Sequence, residues 1–261
     1  MKRSERLSAV LDMLGDRGRL RVEDLVEQLG VSPATARRDL DDLAEQELLR
    51  RTHGGAVAQE VAYELPLRYR KSQNSSQKDR IALAASALVE LGSVVGFNGG
   101  TTSTAIALAL SARRDISAPA QGISLTVVTN AINIAAQLAT RPQIRTVVTG
   151  GVIHPRSYEL VGPFTDTILE QVAMDVVFIG VNGMHPDVGP TVNDDQEAAA
   201  NSRMANRASR TVIVADSSKI GKISLATVRT NRGSTFITDS GIGADQRSAF
   251  REAGWDLIVA D

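Results

Sequence analysis

Hydrophobic residues in the first 57 positions recur with the spacing of short amphipathic helices. An i, i+3, i+4, i+7 pattern predicts a first helix that ends near Gly15 and buries Leu7, Val10, Leu11 and Leu14. A second helix is predicted to begin around Glu23 and to bury Val22, Leu25, Val26 and Leu29. Gly30 follows it, and glycine is the residue best suited to the left-handed conformation after a helix end.

A third helix is predicted over 33–46. Ser32 is a favourable N-cap, Pro33 suits the first helical position, and the next apolar stripe consists of Ala36, Leu40 and Leu43. The turn between the second and third helices is only Gly30-Val31-Ser32. This spacing is typical of a helix-turn-helix.

The segment LLRRTHGGAV, residues 48–57, reads as a strand, a tight turn at Gly54-Gly55 and a second strand. Such a hairpin forms a wing that can lie along a DNA backbone or in a minor groove. We therefore predict DNA contacts from Ser32, Ala34, Thr35, Arg37, Arg38, Arg51, His53 and Gly54. The alternative is an ordinary amphipathic helix with solvated charges, but the cap, the turn, the paired arginines and the wing agree with one another.

From Lys78 onward, short β-branched runs alternate with alanine-rich helical stretches. The predicted strands are 93–97, 125–129, 144–149, 175–180, 211–216, 235–239 and 256–261. The predicted helices are 78–90, 101–112, 131–140, 164–172, 195–208 and 245–253. Most of the strands are near-continuous apolar runs, as in parallel sheets buried on both faces. The alternation predicts an open α/β domain.

These patterns divide the 261 residues into a winged helix-turn-helix domain over 1–57, a linker over 58–77 and an α/β domain over 78–261. The linker has no sustained period and ends in a polar run. The chain has no cysteine, which excludes disulfides, thiolate zinc sites and cysteine nucleophiles. Its apolar runs fall short of the roughly 20 residues that span a bilayer, and it has no signal-peptide core, so we expect a cytoplasmic protein without a membrane partner.

The formal net charge of -1 argues against a polybasic nucleic-acid binder. Residues 1–57 hold 10 Lys and Arg against 11 Asp and Glu, so the head is not basic either. A small DNA-reading head whose cations are confined to one face is still compatible with this balance. We expect modest non-specific DNA affinity, and a homodimer or homotetramer that binds repeated half-sites.

Polar loops follow the predicted strands of the α/β domain, where open parallel sheets bind ligands. In the loop Asn98-Gly99-Gly100-Thr101-Thr102, glycines let the backbone approach an anion, and N–H groups at the helix start can hold it. An ordinary turn with a threonine cap is the alternative. The residues predicted to bind an effector are Asn98, Gly99, Gly100, Thr101, Thr102, Asn130, Gly150, Gly151, Asn182, Glu197 and Lys219. We interpret His154 and His185, which lack metal-ligand spacing, as loop residues.

The segments LGVSPATARRDLDDL and RRTHGGAV resemble the winged head of the DeoR family of bacterial transcription regulators. They match the family pattern VS-x-x-T-[IV]-RRDL followed by R-x-HGGA, with Ala36 where a larger aliphatic residue is usual. The resemblance covers nearly the whole chain. NGGTT resembles the family's [DE]-x-GTT, DSSK matches D-S-[ST]-K, and QEAAANSRM aligns with E-A-x-x-K.

The resemblance implies a sensor domain similar to ribose-5-phosphate isomerase and glucosamine-phosphate deaminase, which binds phosphorylated sugars or related intermediates. It also implies a repressor of carbohydrate-metabolism genes that binds double-stranded operator DNA and is released from it or retuned on it by this effector. The linker residues Tyr63, Pro66 and Tyr69 are the predicted relay. Cofactors and metals are not expected.

Two positions depart from the family pattern. Asn98 stands where Asp is usual, and Asn201 stands where the Lys of E-A-x-x-K is usual. Isomerisation of a sugar phosphate needs a titratable base, and a neutral amide neither titrates nor stabilises a charged intermediate as a cation does. We therefore expect no enzymatic activity and hypothesise that both changes retune the effector pocket. The alternative is an isomerase- or deaminase-like enzyme with an appended DNA-binding head.

Overall fold

The computed structural model describes residues 3–17, 19–46, 48–57, 74–119, 122–230 and 234–261. The chain divides into two compact units, Met1–Gln73 and Asn74–Asp261. The second unit starts before residue 78 because its first helix already begins at Ser75. The proposed relay residues Tyr63, Pro66 and Tyr69 lie outside the described residues.

The first unit is a winged helix-turn-helix. Its elements are α1 (Arg3–Arg17), β1 (Arg19–Arg21), α2 (Val22–Leu29), α3 (Pro33–Glu45), β2 (Arg50–Thr52) and β3 (Gly55–Val57). The three strands form an antiparallel sheet in the order β1-β3-β2. The predicted apolar stripes meet in one core, in which Leu25, Leu40 and Leu43 are fully buried.

The local signals for α3 are confirmed. Ser32 Oγ accepts a hydrogen bond from the Thr35 N–H at 3.2 Å, and Gly30 adopts the left-handed conformation with φ 64°. Ala36 is buried, so the smaller side chain changes core packing and not the exposed face. The wing turn lies at His53-Gly54, one residue earlier than predicted. Gly55 is already in β3, where a Cβ would lie 2.1 Å from the Leu20 carbonyl oxygen.

The second unit is the predicted α/β domain. Its helices are α4 (Ser75–Ser86), α5 (Thr101–Ala112), α6 (Arg114–Ser117), α7 (Ile132–Leu138), α8 (Pro163–Glu170), α9 (Asp195–Asn206) and α10 (Ala244–Glu252). Its long strands are β4 (Val94–Phe97), β5 (Leu125–Thr129), β6 (Ile144–Val148), β9 (Met174–Gly180), β12 (Ala208–Val214), β14 (Thr235–Asp239) and β15 (Asp256–Ala260). The seven predicted strands are therefore confirmed.

These seven strands form one parallel sheet in the order β15-β14-β12-β9-β4-β5-β6. Alternate residues of β9 belong to different apolar clusters, Val176 and Phe178 to one and Val177 and Ile179 to the other. Because successive side chains of a strand point to opposite faces, both faces of the sheet are covered. This explains the near-continuous apolar runs.

Short strands that the sequence pattern did not reveal lie at the periphery. They are β7 (Val152–Ile153), β8 (Leu160–Val161), β10 (Gly183–His185), β11 (Gly189–Val192) and β13 (Ala226–Thr227). β7 and β8 form an antiparallel hairpin, and the other three form a small antiparallel sheet. Strands of two to four residues are too short for a period of two to be recognised.

The strand order identifies the edge of the sheet at which we predict ligand binding. The chain lays β5 and β6 on one side of β4, and then places β9, β12, β14 and β15 on the other. Strand order thus reverses between β4 and β9, and open α/β sheets bind ligands outside the carboxyl ends at such a switch point. None of the helices in the described ranges has the length and apolar character needed to cross a membrane.

Candidate functional site

The exposed face of α3 carries the predicted DNA contacts. Ser32, Ala34, Arg37 and Arg38 are exposed, and Thr35 is half-buried beside its Ser32 cap. On the wing, His53 and Gly54 are exposed at the tip of the turn. In the part of the chain that the structure describes, neither Arg37 nor Arg38 makes an ion pair. Their guanidinium groups are therefore available to bases and phosphates, which arginine contacts with paired N–H donors.

Three of the four acidic residues of α3 are paired with arginines of the head. Arg6 binds Asp39 with two hydrogen bonds, from Nε at 2.5 Å and from NH2 at 2.9 Å. Arg3 pairs with Asp42 at 2.5 Å. Hydrogen bonding to Asp39 raises the pKa of the Arg6 guanidinium, although burial opposes the change. Asp39 and Asp42 of α3 are thus paired with arginines of α1, whereas Arg37 and Arg38 of the same helix are exposed and belong to no ion pair of the described residues.

Arg51 has a role within the head. Its Nε lies 2.7 Å from Asp41 Oδ1, and its NH1 donates to the Gly55 carbonyl oxygen at 2.5 Å. Asp41 is on α3 and Gly55 is on β3, so this side chain fastens the wing to the third helix. A phosphate contact by Arg51 would have to share or replace the Asp41 partner.

At the switch point of the sheet, Asn98 joins the ends of β4 and β9. Its Oδ1 accepts hydrogen bonds from the Gly180 N–H at 2.8 Å and from Ser103 Oγ at 3.0 Å. Its Nδ2 donates to the Gly180 carbonyl oxygen at 2.9 Å. The side chain is buried, with 1% of the residue exposed. Asn98 therefore positions the loop that follows β4, using both ends of its amide.

The β7–β8 hairpin brings a buried carboxylate to this loop. Asn130 Nδ2 donates to Glu159 Oε2 at 3.1 Å. A Cβ on Gly99 would lie 2.6 Å from Glu159 Oε1, so only glycine allows this close approach. Tyr158, next to Glu159, has a left-handed φ of 60°. The hairpin thus connects two predicted effector residues, Gly99 and Asn130, through a carboxylate that the sequence analysis did not single out.

The same hairpin holds Glu197 of α9. Ser157 Oγ donates to Glu197 Oε1 at 2.5 Å, and His154 Nδ1 lies 3.0 Å from that oxygen. The other ring nitrogen of His154 lies 3.7 Å from Asp194 Oδ2. His154 is therefore more than the simple loop residue that its lack of metal-ligand spacing suggested. It stands between two carboxylates at the start of α9.

Asn201 lies one turn after Glu197, on the same face of α9. It is completely buried, and its Oδ1 and Nδ2 have no hydrogen-bond partner among the described residues. The buried Oδ1 of Asn130 also lacks a partner there. Buried amide groups normally have hydrogen-bond partners, and in this respect Asn201 differs from Asn98, whose amide is bonded at both ends.

Two family descriptions match this chain. A DeoR-like helix-turn-helix domain matches residues 6–61, and a DeoR C terminal sensor domain matches residues 73–240. The sensor match alone spans more than half of the chain. The chain belongs to the DeoR family.

Full-length relatives agree with this DeoR assignment. The HTH-type transcriptional regulator GlpR of Haloferax volcanii is 33% identical over 257 residues, which cover 98% of this chain and 97% of that protein. The glycerol-3-phosphate regulon repressor of Escherichia coli strain K12 is 30% identical over 240 residues, 92% of this chain and 90% of that protein. A solved D-ribose-5-phosphate isomerase in complex with phospho-erythronic acid gives a TM-score of 0.41 at 18% identity, covering 56% of this chain and 54% of that one.

The remaining predicted effector residues of this DeoR-family chain also follow strand ends. Gly100 has φ 107° and begins α5, whose first residues are Thr101 and Thr102. After β6, the Gly150 carbonyl oxygen accepts a hydrogen bond from Thr165 Oγ1, and the close approach of that side chain leaves no room for a Cβ on Gly151. After β9, Asn182 Oδ1 accepts from the Asn193 N–H at 3.3 Å.

Lys219 ends a short 3-10 helix, Ser217–Lys219, that follows β12. Asp216 caps this helix by accepting the Ser218 N–H at 3.1 Å. Asp239, at the end of β14, accepts the Ser217 N–H at 2.6 Å and the Gly241 N–H at 2.9 Å. Although burial raises the pKa of Asp239, these hydrogen bonds lower it by more, so its pKa lies below the ordinary value. The loop is therefore anchored by two carboxylates.

Proposed function

We propose that this chain is a sequence-specific transcriptional repressor. Its head docks α3 in the major groove of double-stranded operator DNA, and its sensor domain binds a phosphorylated sugar or related metabolite. The observation that carries the proposal is the charge arrangement on α3. Arg37 and Arg38 are exposed and make no ion pair within the described residues, while Asp39, Asp41 and Asp42 of the same helix are paired with arginines of the head.

The remaining DNA contacts follow from position. Ser32, Ala34 and Thr35 lie at the N-terminus of α3, where recognition helices meet base edges. His53 and Gly54 form the exposed tip of the wing. One head covers only a few base pairs, so the active form is a homodimer or homotetramer on repeated half-sites in the cytoplasm.

The effector site lies at the carboxyl edge of the sheet, around the switch point between β4 and β9. The start of α5 offers backbone N–H groups and the Thr101 and Thr102 hydroxyls to a phosphate. Lys219 supplies a cation from the loop after β12. The names of relatives, including a glycerol-3-phosphate regulon repressor, support a phosphate ester as the ligand and genes of carbohydrate metabolism as targets.

The site favours sensing over turnover. Asn98 and Asn201 are neutral, and Glu197 is engaged by Ser157 and His154. In the described ranges, no group of His, Cys, Asp and Glu side chains could hold a metal ion. Isomerisation of ribose 5-phosphate by the purified chain would contradict this proposal and favour an enzyme with an appended head.

The test of DNA reading is the double substitution Arg37→Ala with Arg38→Ala. Each lost bidentate contact costs about 1–3 kcal/mol of binding free energy, so affinity for an operator selected from random duplexes should fall about 30-fold or more. Fluorescence anisotropy at physiological salt measures this. A matched control, Arg145→Ala with Arg251→Ala, removes the same charge from exposed sensor positions and should leave operator affinity within about threefold. Full affinity in the α3 variant would refute the proposed docking.

A further inference from the structure

Asn74 is the first residue of the sensor unit and has an unusual backbone conformation. Its φ and ψ are 49° and 38°, in the left-handed region that, apart from glycine, asparagine and aspartate adopt most readily. It also begins α4, because its carbonyl oxygen accepts the Lys78 N–H at 3.0 Å. The left-handed backbone of Asn74 is further fixed by contacts of its side chain.

The contacts that hold Asn74 come from the loop after β12. Asn74 Nδ2 donates to Asp216 Oδ1 at 3.0 Å and lies 3.3 Å from Ser218 Oγ. Asp216 is buried, with 3% of the residue exposed, and the same oxygen accepts the Ser218 N–H. A residue 142 positions away in sequence is thereby tied to the cap of the 3-10 helix that carries Lys219.

We propose that Asn74 is a positioning residue that couples the effector site to the DNA-binding head. This inference rests on the proposed function, since it takes Lys219 and its loop as part of the effector site. Asn74 is where the chain enters the sensor domain from the linker. The Asp216 cap and the Asn74 side chain share one carboxylate oxygen, so a shift of the loop around a bound anion changes the geometry of the Asn74 hydrogen bond.

The proposed relay has two states, which differ in the Asn74–Asp216 hydrogen bond and in the backbone conformation of Asn74. With the loop in the present arrangement, the Asn74 amide is bonded and its left-handed backbone is compensated. When the loop moves, the amide loses Asp216, and the backbone is free to relax toward an ordinary conformation. A ligand that prefers one arrangement of the loop thereby biases the linker end, which is the requirement for coupling between two sites.

The test compares Asn74→Gly with an exposed neighbour, Ser76→Ala. Glycine accepts the left-handed backbone without strain but removes the amide, so the fold of α4 is retained. Each full-length variant is titrated with the tightest binder among glycerol 3-phosphate, ribose 5-phosphate and fructose 1-phosphate, with and without the selected operator duplex. Wild type and Ser76→Ala should show a ligand-induced change in operator affinity of about 5- to 150-fold.

In Asn74→Gly this change should fall to about twofold or less, while ligand affinity and operator affinity measured separately stay within about threefold. Linkage requires that the operator's effect on ligand affinity falls by the same factor. Wild-type coupling in Asn74→Gly would overturn the inference. Asn74→Asp tests it independently, because aspartate keeps the left-handed tendency but places a carboxylate against Asp216.

The outcomes separate this inference from the proposed function. A wild-type chain that binds none of the three esters, or no DNA, contradicts the proposed function and the relay together. If ligand changes operator affinity by the same factor in wild type, Asn74→Gly and Asn74→Asp, the role of Asn74 is refuted and the proposed function stands. Loss of ligand binding in Asn74→Gly would show that Asn74 builds the effector site and does not transmit its state.

Discussion

Asn98 and Asn201 both place a neutral amide where the DeoR pattern has a charged residue, but their surroundings differ. The Asn98 amide is bonded at both ends to the Gly180 backbone. The Asn201 amide is buried with no partner in the described part of the chain. The hypothesis that both residues retune the effector pocket is therefore kept for Asn201 only. For Asn98 we expect a structural role.

Asn98→Asp should destabilise the sensor domain without changing its ligand preference. A carboxylate can accept the Gly180 N–H but cannot donate to the Gly180 carbonyl oxygen, so we expect a loss of about 1–3 kcal/mol in the free energy of unfolding. Urea unfolding followed by Trp255 fluorescence measures it, since Trp255 is the single tryptophan of the chain. The variant Asn201→Lys serves as the comparison. Calorimetry should show a changed order of ligand affinities in Asn201→Lys and an unchanged order in Asn98→Asp. A changed ligand preference in Asn98→Asp, with an unchanged one in Asn201→Lys, would contradict this assignment of roles.

Asp239 makes the stability of the sensor domain depend on pH. Because its folded pKa lies below the ordinary value, its contribution is fully present above the unfolded pKa of about 3.9 and is lost as pH falls through the folded value. Asp239→Asn should cost about 2 kcal/mol at pH 7, as expected for hydrogen bonds to a charged acceptor. The difference in unfolding free energy between wild type and variant should stay constant above about pH 4 and shrink as pH falls further, through the lower folded pKa. A difference independent of pH in Trp255-monitored unfolding would contradict this.

At the scale of the elements, ion pairs of its aspartates connect α3 to α1 and to the wing, and these aspartates differ in burial. Asp39 is buried against Arg6 of α1, with 3% of its side chain exposed, whereas Asp41 is 63% exposed in its pair with Arg51 of the wing. The sequence shows the acids and arginines of the head but not which of them meet. Only the packing of α1 and the wing against α3 decides that Asp39, Asp41 and Asp42 are paired and that Arg37 and Arg38 are not.

Asp39→Ala and Asp41→Ala make the same chemical change on one helix, but their effects should differ. Removing Asp39 leaves the partly buried Arg6 guanidinium without its two hydrogen bonds, which should lower the free energy of unfolding by about 1–3 kcal/mol. Removing Asp41 breaks an exposed pair and should cost about 0–1 kcal/mol. Hydrogen exchange of the α3 amides in the full chain reports both. Equal protection in the two variants would show that the Arg6 pair does not stabilise the head.

At the scale of the whole molecule, the structure shows how charges are distributed within a chain whose net charge is -1. Arg37 and Arg38 of α3 are exposed while Asp39, Asp41 and Asp42 are paired within the head, so a nearly neutral chain presents two adjacent cations on the helix proposed to contact DNA. The sensor unit starts at Asn74, and its carboxyl edge collects loops that are far apart in sequence.

Ligand binding should stabilise the sensor unit through the phosphate group. Glycerol 3-phosphate, ribose 5-phosphate and fructose 1-phosphate are each compared with glycerol, ribose and fructose as matched controls. A phosphate ester present at 100 times its dissociation constant should add about 2.7 kcal/mol to the free energy of unfolding, and the parent polyol or sugar should add almost none. Thermal unfolding followed by Trp255 fluorescence measures the shift. Equal stabilisation by glycerol and glycerol 3-phosphate would show that the protein does not recognise the phosphate group.

The sequence by itself determined the helix-turn-helix, the seven buried strands and the loops at their ends. These features depend on local signals: caps, apolar stripes of helical period and uninterrupted apolar runs. The tertiary structure alone decided that Asn98 bonds to Gly180, that the β7–β8 hairpin brings Glu159 to Gly99, and that Asn74 meets Asp216. Such contacts join residues tens to more than a hundred positions apart. Their partners follow from the packing of strands and hairpins, which leaves no periodic trace in the chain.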